Sequence, residues 1–116
     1  MDIYHVWCNL KSGTSDIAFC KRVDAYLGRL RNEKLIAGHR ITRRKLGFGP
    51  PQLGEFHIAI EVTDLAQLDA AFKHVASRAG PVEGLHQAVN SLATDLTFAL
   101  YRDFPDAIRQ RGEEKF

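Results

Sequence analysis

With 116 residues, 45% of them hydrophobic and 26% charged, the chain has the composition of one soluble globular domain, not of a disordered or membrane-spanning polypeptide. Lys and Arg total 16 against 14 Asp and Glu, a net charge of +2 that is too balanced to imply nucleic acid or an anionic membrane as partner. The strand pattern begins at Asp2, so no targeting segment is expected ahead of it. Two cysteines, Cys8 and Cys20, without a CxxC pair read as buried free thiols in a cytoplasmic protein.

Residues 2–10 are rich in β-branched and aromatic types and stop at Lys-Ser-Gly-Thr-Ser, which predicts a strand. Tyr4, Val6, Cys8 and Leu10 share one of its faces; Ile3, His5, Trp7 and Asn9 share the other. Ser15 and Asp16 begin a helix, the first as a cap and the second as a charge matched to the helix dipole. Cys20, Val23, Leu27 and Leu30, flanked by Phe19 and Tyr26, form its buried stripe. Gly38 to Phe48 reads as a basic edge strand, followed by a Gly- and Pro-rich loop from Gly47 to Gly54.

Glu55 to Val62 alternates strictly, with Phe56, Ile58, Ile60 and Val62 on the core side and Glu55, His57, Ala59 and Glu61 opposite. Asp64 and Gln67 cap a second helix carrying Leu65, Leu68, Phe72, Val75 and Ala79. Gly80-Pro81 ends it and starts a shorter helix with Val82, Leu85, Val89 and Leu92. A last strand runs from Asp95 to Tyr101, with Leu96, Phe98 and Leu100 facing the core. A charged tail, 103–116, closes the single domain.

This order, strand–helix–strand–strand–helix–strand with right-handed crossovers, predicts an α+β ferredoxin-like βαββαβ sandwich: a four-stranded antiparallel sheet and an extra short helix before the last strand. The first and third strands lie side by side in the centre, with the fourth beside the first and the second at the far edge, and the helices cover one face. The other face carries Ile3, Trp7 and Tyr101, costly in water, among His5, Asn9, His57 and Glu61, too polar for a dry core. A second copy of the same sheet is its simplest cover, so a homodimer through this open face is expected.

The element order, the Trp/His/Asn face and the segment Arg-Arg-Lys-Leu-Gly-Phe-Gly-Pro-Pro resemble the dimeric α+β-barrel superfamily, and within it an uncharacterised group of short bacterial proteins. The resemblance spans nearly the whole chain and implies a fold more than an activity. Superfamily members include oxygenases, isomerases, dehydratases and proteins with no known reaction.

Two functional readings follow. In one, the barrel interior is a small-molecule pocket for cofactor-independent oxygenase or isomerase-type proton transfer, with His57 as base and His5 or Tyr101 as its donor partner. Trp7 would stack on substrate, Asn9 and Arg44 would hold an anion, and Glu61 would line the pocket. In the other, the same groups satisfy one another across a non-catalytic or ligand-binding dimer, and the arginines protect an edge strand. Haem is not expected, because His74 lies beside the buried stripe of its helix. No metal is expected either: His5, His57 and Glu61 could be ligands, but no metal motif is present. The third strand lacks the aromatic and basic residues of an RNA-recognition domain, so RNA is not an expected partner.

Overall fold

The computed structural model describes residues 1–78 and 80–106. Its elements are β1 (Asp2–Leu10), α1 (Asp16–Asn32), β2 (Gly38–Arg43), β3 (Phe56–Val62), α2 (Leu65–Ala76), α3 (Gly80–Asn90) and β4 (Ala93–Arg102). The strands form one antiparallel sheet in the order β2-β3-β1-β4. This is the expected ferredoxin-like topology, with α3 as the additional helix before the last strand. No helix among the described residues is long and apolar enough to cross a membrane.

The helix starts follow from their caps. Ser15 Oγ accepts the Ala18 N–H at 3.2 Å, and Asp16 stands in the first turn. Asp64 Oδ1 accepts the Gln67 N–H at 2.8 Å, while Gln67 Oε1 reaches back to the Thr63 N–H at 2.8 Å. The buried stripe of α1 is Phe19, Val23, Leu27 and Leu30. Cys20, expected in that stripe, lies at its margin instead, because helical phase centres the stripe one residue earlier. Helix α2 ends at Ala76, and the positive φ angles of Arg78 (52°) and Gly80 (65°) turn the chain into α3.

Cys8, Phe56, Ile58 and Val62 are buried beneath the helices, with Tyr4, Val6, Ile41 and Ile60 packed against them. Leu96, Phe98 and Leu100 do not complete this core as expected: they are 43%, 54% and 51% exposed. They face the helix side, opposite Val6 and Tyr4, but β4 is an edge strand at the margin of the helix layer. Phe72, also expected inside, is exposed at the same margin.

A polar residue that the alternation pattern did not single out is buried. Asp2 is 3% exposed, and its two carboxylate oxygens accept from Arg102 Nε and Nη2 on β4. These charge-assisted hydrogen bonds hold the Asp2 carboxyl below the usual carboxylate range against the opposing cost of burial. Strand β2 stops at Arg43 rather than running to Phe48. Of the expected charged tail, residues 107–116 lie outside the described residues.

Candidate functional site

Strand register turns the face away from the helices into a grid. One row across the sheet is Thr42, His57, Trp7 and Thr97; the next is Arg40, Ala59, His5 and Ala99; the third is Gly38, Glu61, Ile3 and Tyr101. All seven residues singled out from sequence as a site, except Arg44, belong to these β1, β3 and β4 surfaces. Alanines, Ala59 and Ala99, flank His5 in its row.

His5 and His57 are diagonal neighbours on paired strands, and His5 Nδ1 lies 2.8 Å from His57 Nε2. The other nitrogen of His57, Nδ1, is 3.3 Å from Thr42 Oγ1. Both His57 nitrogens are therefore engaged, whereas His5 Nε2 has no partner among the described residues. The rings pack as a cluster: Trp7 stacks on His57 at 4.8 Å and on His5 at 5.4 Å between centroids, and Tyr101 meets His5 edge-on at 5.1 Å. Desolvation by these neighbours lowers the pKa of both imidazoles, and the nearness of His5 lowers that of His57 further.

Two proton arrangements satisfy the line from Thr42 to His5. In one, the Thr42 hydroxyl donates to His57 Nδ1, His57 Nε2–H donates to His5 Nδ1, and His5 Nε2 carries a proton. In the other, every donor and acceptor is reversed, and His5 Nε2 presents a lone pair. One rotating hydroxyl and two tautomers separate the arrangements.

The remaining sequence candidates are already occupied or stand apart. Asn9 Oδ1 accepts the Glu55 N–H at 2.9 Å, and Asn9 Nδ2 donates to Asp95 Oδ2 at 3.1 Å. It thereby ties β3 and β4 to β1 at an irregularity where the pairing shifts between Trp7 and Asn9 and Asp95 adopts φ 55°. Arg44 donates from Nη2 to the carbonyls of Pro50 and Leu53, bracing the loop after β2. Glu61 is exposed, one row from His5 and two from His57, and Tyr101 is 62% exposed. Arg40 has no hydrogen-bond or ion-pair partner among the described residues and shares its row with His5. His74, on α2, pairs with Glu33 Oε2 at 3.1 Å.

A second feature was not anticipated from sequence. On the opposite side of the sheet, a cavity of about 240 Å³ separates β1, β3 and β4 from the three helices. Val6, Val23, Leu27, Ile58, Phe72 and Val89 are among its apolar walls, and Tyr4, Tyr26, His86 and Asn90 bring polar groups to it. Burial pushes the Tyr26 hydroxyl up to about 12, with smaller contributions from Tyr4 and Glu83, and raises that of Tyr4, so both remain neutral donors. The His86 ring lies 5.3 Å from that of Tyr26. The available sequence signal was the pair Tyr4 and Tyr26 on core-facing positions, where a hydroxyl needs a partner or a cavity.

Among solved structures, the chain is similar to protein At3g17210 of Arabidopsis thaliana, with a TM-score of 0.70 at 8% identity over 93% of this chain and 100% of that one. It is also similar to SnoaB, a cofactor-independent oxygenase from Streptomyces nogalater, with a TM-score of 0.64 at 12% identity over 90% and 97%. A dimeric ferredoxin-like protein of unknown function from Jannaschia sp. CCS1 gives a TM-score of 0.64 at 14% identity over 89% and 100%. At these identities the likeness is one of fold. No curated protein matches the chain. The sequence pattern of one family covers residues 1–116, and the chain belongs to that family, DUF6614, whose function is unknown.

Proposed function

We propose that this protein is a homodimer, joined through its open sheet face, that binds a small and largely apolar carbonyl compound in the cavity between sheet and helices and moves a proton on it without a cofactor. The observation that carries this reading is the cavity itself. About 240 Å³ of space with apolar walls holds two neutral phenols and one imidazole, the combination expected of a pocket that grips an apolar body and orients one polar group. An engineered apolar cavity of about 150 Å³ admits benzene, so this one suits a bicyclic molecule. Tyr26 donates a hydrogen bond to the carbonyl oxygen, and His86 takes the proton from the adjacent carbon. A cofactor-independent oxygenase and a dimeric protein among the fold neighbours support the chemistry and the assembly. The dimer explains why Trp7 and Tyr101 share an otherwise polar face.

The test uses 2-tetralone, a bicyclic ketone with an acidic carbon-bound proton. Native mass spectrometry reads subunit number and bound ketone together, and proton NMR in D2O reads exchange. The expected result is a dimer that binds the ketone and accelerates its exchange. His86→Gln should keep binding and lose at least tenfold in exchange rate, and Val89→Phe should lose binding. Binding without accelerated exchange would make the protein a ligand carrier and remove the catalytic role of His86. A monomer would overturn the assembly.

A further inference from the structure

We infer that the compound taken by the cavity between sheet and helices carries an unbranched aliphatic chain, which leaves the cavity beside Phe72 and Phe98 and lies along the helix side of β4 towards Arg102. This rests on the reading of the cavity as the binding site and names the class of its ligand. Most of the cavity wall is covered, but Phe72, Leu96 and Phe98 both line it and are exposed, as is Asn90 at the end of α3. Residues that border the cavity and solvent at once mark its opening, and three of these four are apolar. The Tyr4 ring stands between two of them, edge-on to Phe72 at 5.2 Å and parallel to Phe98 at 5.9 Å between centroids.

Beyond the opening the apolar surface continues in one direction. Leu100, two residues after Phe98 and so on the same side of β4, is exposed and is not part of the cavity wall. Its neighbour across the pairing is Tyr4. The intervening Thr97, Ala99 and Tyr101 belong to the opposite face, so no polar side chain of β4 interrupts the strip. It ends at Arg102, whose guanidinium is committed to the buried Asp2 carboxylate. From Phe98 to Arg102 the strand rises about 14 Å, and the strip is about one strand spacing wide, near 5 Å. That shape fits one extended hydrocarbon chain and is too narrow for a fused ring system. The cavity and the strip share Leu96 and Phe98, so a single molecule with its carbonyl end at Tyr26 and His86 covers both, which accounts for the side chains that β4 leaves in water.

The experiment is isothermal titration of the full chain with unbranched methyl ketones from 2-hexanone to 2-undecanone, with 2-tetralone alongside. Affinity should rise through the whole series by about twofold per methylene, half the increment for complete burial because one side of the chain faces water, or about thirtyfold in all. Leu100→Ser should cut the ratio of 2-undecanone to 2-hexanone affinity severalfold. Leu46→Ser, an equally apolar change on the exposed loop after β2, should leave that ratio unchanged. Affinities that level off before 2-undecanone, or an undiminished ratio in Leu100→Ser, would overturn the chain while 2-tetralone binding kept the proposed function standing. Conversion of a dimer to a monomer by Leu100→Ser with the ratio intact would assign the strip to a second copy, which also overturns it. Failure of every ketone, 2-tetralone included, would remove this inference together with the reading it rests on.

Discussion

Asn9→Ala removes two hydrogen bonds that meet at the irregular end of β1, one from the Glu55 N–H at 2.9 Å and one to Asp95 at 3.1 Å. The first is partly buried, and its loss strands a backbone donor at a cost of about 1–3 kcal/mol; the second is exposed and contributes well under about 1 kcal/mol. Together they amount to about 2 kcal/mol. For a domain of this size each kcal/mol shifts the melting temperature by about 4 °C, so Asn9→Ala should melt about 8 °C lower. Differential scanning calorimetry at pH 7 measures this, and 2-tetralone binding well below the melting range should be unchanged. A melting temperature within about 2 °C of the wild type, or selective loss of ligand binding in a fully stable variant, would refute the framework role and return Asn9 to the site.

Arg102→Met strands the Asp2 carboxylate, which is 3% exposed, and should lower the urea midpoint more than Asp2→Asn combined with Arg102→Met does. Acid should weaken the fold in two stages. The pKa values of His5 and His57 lie below the ordinary 6.5 when folded, so the unfolded chain binds more protons and stability falls as pH drops below about 6.5. Arg40 and the histidine pair share this face, with Glu61 as the opposing charge and Tyr101 beside His5; His57→Gln should flatten the fall in urea midpoint between pH 7 and 5. Asp2, also depressed, adds a second fall as pH drops through its folded value below 3.8. Gly54→Ala would drive a methyl group into the Cys8 backbone and should cost more than about 1 kcal/mol by urea unfolding. Burial raises the Cys8 thiol to about 11, so iodoacetamide at pH 8 should alkylate Cys20 and spare Cys8 until the protein unfolds, as read by peptide mass spectrometry.

Much of the architecture could be read from residue order alone because it rests on local periodicities. The alternation in Phe56-His57-Ile58-Ala59-Ile60 puts His57 on the face opposite the core whatever the rest of the chain does, and Ser15 and Asp64 announce helices through hydrogen bonds to residues three positions on. Strand–helix–strand order with a fixed crossover hand then leaves few sheet topologies, and β2-β3-β1-β4 is the one adopted. Side-chain commitments are a different kind of fact. Whether Asn9 or Arg44 is available for a ligand depends on which carbonyl, carboxylate or N–H a partner up to 86 residues away brings within hydrogen-bonding reach, and both are taken. Among the described residues Arg40 has no such partner, for the same reason in reverse.

The core follows the same division. Apolar pattern marked Leu96, Phe98 and Leu100 for the helix side, and they are on it, yet burial requires a neighbour as well as a direction, and an edge strand has fewer. The cavity beside Tyr26 and His86 is likewise a property of packing, the volume left when three helices of given length and side chains of given size rest on a twisted sheet. Sequence by itself determined which faces exist and what each carries. Only the tertiary structure decided which groups remain unpaired and where space remains, because both are differences between long-range partners that no local pattern records.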